Sequence, residues 1–240
     1  MNDSMFRIKI CGLTRVDDAR IAIDAGADAI GLNFVTGSPR AVPVELATEI
    51  SAVLPHSVAS VGVFVNSPAA EIVDIAAAVG LGWVQLHGDE PPEALAELPA
   101  HLNVLRAFRL QAGDARPIGA FVDASRAAGR LPDGVLVDAF DPAQYGGTGK
   151  TLPWGILRDE PVNWGLPLVL AGGLTPANVA QAIAAAGPAV AAVDTASGVE
   201  ASPGIKDPQL VRAFVAAAAT ALERRPDSRD PTGPPGRAPG

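Results

Sequence analysis

The sequence contains very little cysteine and no long apolar run. Its 240 residues include a single cysteine, Cys11, which excludes a disulfide within the chain and a zinc site built from several cysteines. No run of about 18 apolar residues is present, which excludes a membrane-spanning helix. The first residues, 1–9, are polar and lack the apolar stretch of a secretory signal. These absences predict a protein of the reducing cytoplasm.

Positive charge is also scarce. The chain has 18 Lys and Arg against 26 Asp and Glu, a formal net charge of −8. An acidic chain is a poor partner for nucleic acid or an anionic membrane, so we expect neither as a partner. An acidic net charge still allows a local site that binds an anion. Hydrophobic residues make up 48% of the chain, which is enough for a full core.

One change of composition divides the chain. Residues 226–240 are rich in proline and glycine, which restrict or disfavour ordered structure, and they predict a disordered tail. No comparable linker occurs upstream, so we expect one domain over residues 1–225. The length fits one large α/β barrel or two small domains, and the missing linker favours the barrel.

Short β-branched runs recur along the chain, and most of them precede an alanine-rich helical stretch. Strands that alternate with helices imply parallel pairing, and eight such units in a chain of this length predict a single (β/α)₈ TIM barrel. The alternative is an open doubly wound sheet, which usually carries GxGxxG after its first strand; residues 11–14 do not match it. The predicted strands are 6–11, 29–34, 60–65, 83–87, 104–110, 134–140, 167–172 and 189–195.

The end of the first strand carries a lysine and the only cysteine. Alternation places Lys9 and Cys11 on the inner face of the barrel, and Ile8 and Ile10 on the outer face. A charged Lys9 would favour a thiolate, so we expect a lowered pKa for Cys11 and a catalytic role. The alternative is that Cys11 is a small buried apolar residue.

The sixth strand ends in an aspartate that packing does not explain. Partial burial of Asp138 would raise its pKa and suit a general acid. The alternatives are a loop cap or a partner for Lys9. The glycine-rich segment 144–150 that follows could close over a ligand, and it lacks the spacing of a nucleotide-binding loop.

Two further side chains follow other strands. Gln85 and His87 share a face of the fourth strand, and we expect His87 to support the site or contact a ligand rather than act as a base. Arg40 follows the second strand, where its fork would suit a carboxylate or a phosphate. The alternative for Arg40 is an ordinary surface position.

The segments after the last two strands predict a phosphate site. Gly172 and Gly173 come before a predicted helix start at Thr175-Pro176, and Ser197 and Gly198 follow the eighth strand. Glycines allow backbone N–H groups to approach closely, a helix N-terminus favours an anion, and TIM barrels often bind phosphate in these two loops.

These residues together resemble one enzyme family, phosphoribosylanthranilate isomerase. The resemblance covers residues 6–224 in order, and its combination of motifs is highly specific. It departs from the family at Thr195-Ala196, where a serine-rich stretch is more usual. The matching motifs are KICGLT at 9–14, SPR at 38–40, QLHG at 85–88, VD at 137–138, GGTG at 146–149, AGGL at 171–174, DTASGVE at 194–200 and PGIKD at 203–207.

The resemblance implies a (β/α)₈ barrel and an Amadori rearrangement in tryptophan biosynthesis, without a metal or an organic cofactor. It implies that Asp138 is the general acid and Cys11 the general base, and that Arg40 pairs with the anthranilate carboxylate. Backbone around Gly172 and Gly173, and around Ser197 and Gly198, would hold the phosphate. Asp194 and His87 would contact the substrate. The partner would be a small phosphosugar, and the protein a monomer or a homodimer.

Two other functions compete with this reading. A barrel isomerase that also serves histidine biosynthesis resembles a two-fold repeat with an aspartate at the end of strand one, where this sequence has Cys11. A phosphate-binding module without catalysis would keep Gly173 and Gly198 but need neither Cys11 nor Asp138.

Overall fold

The computed structural model describes residues 5–109, 115–138, 154–159 and 164–224. Its eight parallel strands close into a barrel in chain order, with β1 paired to both β2 and β8. The predicted barrel is confirmed, and the open sheet is excluded. The strands are β1 Ile8–Cys11, β2 Ala29–Asn33, β3 Ala59–Phe64, β4 Trp83–Leu86, β5 Asn103–Arg109, β6 Gly134–Asp138, β7 Leu168–Ala171 and β8 Val190–Thr195.

Helices connect the strands on the outside of the barrel. A 3₁₀ helix, Pro92–Glu97, takes the place of an α-helix after β4. A short antiparallel pair, β9 Glu200–Ser202 and β10 Ile205–Lys206, leads from β8 into the last helix. No helix among the residues described is long and apolar enough to cross a bilayer. The α-helices are α1 Val16–Ala25, α2 Val44–Ala52, α3 Ala69–Val79, α4 Arg116–Ala127, α5 Ile156–Asp159, α6 Val179–Ala186 and α7 Pro208–Glu223.

The strands bury apolar side chains on both faces, as parallel strands covered by helices do. Ile8 and Ile10 belong to the large outer cluster shared with the helices, as the alternation predicts. A smaller cluster fills the barrel and includes Phe6, Leu105 and Leu136. Between this apolar plug and the C-terminal strand ends, the inward positions become polar.

The last helix closes the ring. The Asp207 carboxylate accepts hydrogen bonds from the backbone N–H groups of Gln209 and Leu210, which caps the N-terminus of α7. Phe214 and Val215 of α7 are buried in the outer cluster, where α7 packs against α1 and α6. The chain therefore needs residues up to this helix to complete its core.

Three predictions from sequence concern two segments that the structure does not describe. The glycine-rich segment 144–150 and the tail 226–240 lie outside the described residues. It therefore stays a prediction that segment 144–150 closes over a ligand and that the tail 226–240 is disordered. The boundary of a single domain at residue 225 also stays a prediction.

Gly31→Ala tests how closely β1 and β2 pack at the site. A Cβ at Gly31 would lie 2.5 Å from Cys11 Sγ and 2.9 Å from Cys11 Cα, and the second contact is with backbone that cannot rotate away. We expect a loss of about 1–3 kcal/mol in the free energy of unfolding, as for other overpacked sites, measured by urea denaturation. Gly82→Ala is the control, because nothing lies within 4 Å of a Cβ there. Equal stabilities of the two variants would contradict this packing.

Candidate active site

Every site residue predicted from the sequence lines one cavity at the C-terminal ends of the strands. The cavity measures about 420 Å³, within the range of small-molecule sites. Cys11 ends β1 and Asp138 ends β6, so the two side chains enter from different sides of the barrel. The remaining predicted residues on its wall are Arg40, His87, Gly172, Gly173, Asp194, Ser197 and Gly198.

A buried lysine lies beneath the cavity. Lys9 is fully buried, its Nζ lies 3.1 Å from Asp194 Oδ1, and it donates a hydrogen bond of 2.8 Å to Gln85 Oε1. Burial alone would lower the pKa of Lys9, but the charge of Asp194 and the neighbouring Cys11 outweigh it and raise that pKa. Lys9 is therefore an ammonium ion. Asp194 and Gln85 are therefore the partners of Lys9. The sequence had left Asp138 open as a possible partner.

The expected lowering of the Cys11 pKa is wrong for the free protein. Burial is the largest influence and raises the pKa of the Cys11 thiol above its ordinary value of 9.0. Lys9 and Lys206 act in the opposite direction, while the charge of Asp194 raises the pKa further. The positive charge of Lys9 is largely neutralised by Asp194, so it cannot offset desolvation. Cys11 is a thiol at neutral pH.

His87 lies between a glutamine and the predicted acid. Gln85 Nε2 is 2.9 Å from His87 Nδ1, and His87 Nε2 is 3.8 Å from Asp138 Oδ2. Burial, followed by the positive charges of Lys9, Arg109 and Arg106, lowers the pKa of His87 to about 4. His87 is therefore neutral at pH 7, which agrees with a supporting role rather than that of a base.

Arg40 is part of a partly buried ion-pair cluster rather than an ordinary surface residue. Its Nε and Nη2 donate to the two Glu200 oxygens at 2.8 and 2.7 Å, the bidentate geometry of the strongest arginine pairs. Lys206 Nζ donates to Glu200 Oε1 at 2.9 Å. Burial would raise the pKa of Glu200, but the hydrogen bonds from Arg40 and Lys206 outweigh it and lower that pKa. Sequence reasoning did not single out Glu200 or Lys206, although both lie in the quoted motifs.

The two predicted phosphate loops contact each other. Gly172 and Gly173 have φ values of 86° and 64°, in the left-handed region that favours glycine. A Cβ at Gly198 would lie 1.8 Å from the carbonyl oxygen of Leu174, so the loops pack at a distance that only glycine permits. The predicted helix start at Thr175-Pro176 is wrong, because α6 begins at Val179 after a turn.

A metal site is not apparent where the structure describes the chain: no group of three or more His, Cys, Asp and Glu side chains there could hold a metal ion. The cavity instead combines a thiol, a carboxyl group, a guanidinium and two glycine loops. Such a set can bind an anionic ligand and can move protons at two points of it.

Comparisons with known proteins agree with this geometry. A family model described as N-(5'phosphoribosyl)anthranilate (PRA) isomerase matches residues 8–217. The N-(5'-phosphoribosyl)anthranilate isomerase of Pseudomonas fluorescens (strain Pf0-1) is 47% identical over 213 residues, 88% of this chain and 98% of the relative. The phosphoribosyl anthranilate isomerase of Thermotoga maritima superposes with a TM-score of 0.77 at 38% identity, over 90% of this chain and 100% of that one.

A further solved structure of such an isomerase contains a bound compound, reduced 1-(o-carboxyphenylamino)-1-deoxyribulose 5-phosphate. It superposes with a TM-score of 0.75 at 35% identity, over 90% of this chain and 100% of that one. The match to the family model over residues 8–217 spans all eight strands of the barrel.

The ionisation of Cys11 can be measured directly, because it is the only cysteine. We expect alkylation by iodoacetamide, followed by mass spectrometry across a pH series, to rise with a midpoint above 9.0 in the folded protein, because burial disfavours the thiolate. The urea-unfolded protein is the control, and its midpoint should return to the ordinary value. A folded-state midpoint below 9.0 would show that Lys9 dominates after all.

Proposed function

This chain belongs to the N-(5'-phosphoribosyl)anthranilate isomerase family, and from that membership we propose how its own residues carry the reaction. It catalyses the Amadori rearrangement of N-(5-phosphoribosyl)anthranilate to 1-(2-carboxyphenylamino)-1-deoxyribulose 5-phosphate in tryptophan biosynthesis. The observation that carries the proposed mechanism is the single cavity on which Cys11, Asp138, Arg40 and both glycine loops converge.

Asp138 is the general acid of the first step. Its proton passes to the ring oxygen of the ribose, the bond between C1 and that oxygen breaks, and the nitrogen lone pair forms a C=N bond. The product is an open-chain cationic Schiff base. The position of Asp138 at the end of β6, with its side chain 24% exposed, supports this role, because the group meets both the cavity and its solvent.

Cys11 is the general base of the second step. Its thiolate removes the proton from C2, and the electron pair forms a C1=C2 bond and neutralises the Schiff base nitrogen. The enolamine then gains a proton at C1 and loses one from the C2 hydroxyl to give the ketone. The raised pKa of Cys11 makes its thiolate scarce but strongly basic. The cationic nitrogen, formed only after ring opening, favours this thiolate at the moment it is needed.

The two ends of the substrate are held by different groups on the cavity wall. Arg40, whose plane is fixed by the bidentate pair with Glu200, receives the anthranilate carboxylate. Backbone around Gly172, Gly173, Ser197 and Gly198 receives the phosphate. Asp194, paired with Lys9 beside Cys11, contacts the sugar. Fixing both ends places C2 and the ring oxygen against their catalytic groups, which lowers the entropic part of the barrier.

We also propose a partner, a location and an assembly state for this protein. A small phosphosugar as the partner agrees with the size of the cavity. The acidic net charge of −8 supports the proposed absence of nucleic-acid and membrane partners, and the single buried cysteine supports a cytoplasmic location. From the family resemblance we also propose that the protein works without a cofactor and that it is a monomer or a homodimer.

Replacing either catalytic group tests the mechanism. We expect Cys11→Ser and Asp138→Asn each to lower kcat by at least about 100-fold, because each removes one proton transfer, while circular dichroism and thermal unfolding show a folded barrel. The assay follows the loss of substrate fluorescence on adding the purified protein.

Asp24→Asn is the matched control, since Asp24 is exposed on α1. It should keep full activity. Turnover close to that of the unmodified protein in Cys11→Ser or in Asp138→Asn would eliminate the assigned mechanism.

Arg40→Lys tests the binding of the carboxylate. Lysine keeps the charge but loses the planar fork, so we expect KM to rise about 10- to 100-fold with a smaller change in kcat. Arg20→Lys is the control, because the Arg20–Asp17 pair is exposed on α1. A fall in kcat at unchanged KM would show that Arg40 acts on the chemistry and not on substrate binding.

A further inference from the structure

A line of hydrogen-bonded polar side chains runs from Lys9, beneath the cavity, through Gln85 to His87 on the cavity wall, and His87 faces Asp138. We propose that Gln85 is a positioning residue, which holds His87 as the tautomer protonated on Nε2 and so prevents His87 from taking the proton of Asp138. The inference rests on the proposed role of Asp138 as the general acid.

Lys9 determines which way the Gln85 amide points. An ammonium group has three donors and no acceptor, so only the carbonyl oxygen of Gln85 can face it, at 2.8 Å. Lys9 is fully buried and Gln85 is 1% exposed, so a flipped amide would set two donors against each other away from solvent. The Gln85 NH₂ group is therefore left to face His87.

The amide in turn determines the tautomer of His87. The Gln85 NH₂ donates to His87 Nδ1 across 2.9 Å, which requires a lone pair on Nδ1. A neutral imidazole carries its one hydrogen on the other nitrogen, here Nε2, which lies 3.8 Å from Asp138 Oδ2. Burial and the positive charges of Lys9, Arg109 and Arg106 lower the pKa of His87 to about 4, so the ring stays neutral.

The backbone on both sides of His87 is also fixed. Arg106, on β5, donates through Nη1 to the carbonyl of Leu86 and through Nη2 to that of Gly88. The Glu90 carboxylate accepts from the N–H of Gly88 and lies 3.3 Å from Arg106 Nη1. The ring is thus held at its backbone by Arg106 and Glu90 and at Nδ1 by Gln85.

The tautomer of His87 decides whether His87 can compete with the substrate for the proton of Asp138. With hydrogen on Nε2, His87 presents a donor to Asp138 and no lone pair, so His87 cannot accept the Asp138 proton. With hydrogen on Nδ1, the Nε2 lone pair would face Asp138 and could accept that proton to form an imidazolium ion. The sugar would then lose its proton donor.

Gln85→Glu reverses the direction of the hydrogen bond with His87, and the side chain keeps almost the same shape. A carboxylate accepts from Lys9 as before, but it also accepts from His87, so Nδ1 must carry hydrogen. We expect ¹⁵N NMR of the full chain to report the Nε2–H tautomer in the unmodified protein. In Gln85→Glu we expect the Nδ1–H form or the imidazolium, with a His87 pKa at or above the ordinary 6.5. His56 and His101, both exposed, are the internal references among the three histidines.

The kinetic effect should fall on kcat. We expect Gln85→Glu to lower kcat about 10- to 100-fold at pH 7 with KM changed less than about threefold, because Arg40 and the two glycine loops still hold the ends of the substrate. Gln181→Glu, which adds the same charge at an exposed position of α6, should match the unmodified protein. Gln85→Met, which neither donates nor accepts strongly, should give a mixture of tautomers and an intermediate kcat.

The outcomes separate this inference from the mechanism on which it rests. An Nδ1–H tautomer in the unmodified protein, or an Nε2–H tautomer that persists in Gln85→Glu, overturns the role of Gln85 even if Asp138→Asn is inactive. Full activity of Asp138→Asn overturns the role of the acid, whatever tautomer His87 adopts. The spectrum of the unmodified protein is decisive even if a Gln85 variant does not fold.

Discussion

The buried ammonium of Lys9 is the constraint on which the site depends. A charge with no exposure to solvent must be surrounded by compensating groups, and here these are Asp194, Gln85 and the Cys11 thiol. Each of these neighbours loses freedom as a result. Asp194 is fixed beside the proposed base, the Gln85 amide takes one orientation, and His87 receives its tautomer from that amide. The proposed base and the surroundings of the proposed acid are therefore arranged by one side chain that never touches the substrate.

The same arrangement explains why the thiol is not ionised beforehand. The attraction between Lys9 and a Cys11 thiolate competes with desolvation and with the nearby charge of Asp194, and the balance raises the pKa of Cys11. A thiolate is then favoured mainly when a positive charge arrives on the substrate, which happens only after ring opening. The order of the two proton transfers follows from electrostatics, since the acid step creates the charge that assists the base step.

Sequence reasoning reached the barrel and the location of the site because both depend on local pattern. Each predicted strand agrees with the structure to within one or two residues at the described ends, and the residues that follow the strands meet on one cavity. It failed where the outcome depends on partners distant in sequence. β1 starts at Ile8 rather than at Phe6. The backbone N–H groups of Arg7 and Ile8 donate hydrogen bonds to the Asp28 carboxylate, which is distant in sequence. The direction of the Cys11 pKa and the pairing of Arg40 with Glu200 needed the fold itself.

A crystal structure of this protein with reduced 1-(o-carboxyphenylamino)-1-deoxyribulose 5-phosphate, the compound bound in a related isomerase, would show which side chain meets each atom of the ligand. We expect Cys11 Sγ to lie against C2 of the sugar chain and the Asp138 carboxyl group to lie against the former ring oxygen. We also expect the phosphate between Gly173 and Gly198 and the carboxylate on Arg40. A complex in which Cys11 and Asp138 contact the same end of the ligand, or in which the phosphate lies at Arg40, would contradict the proposed mechanism.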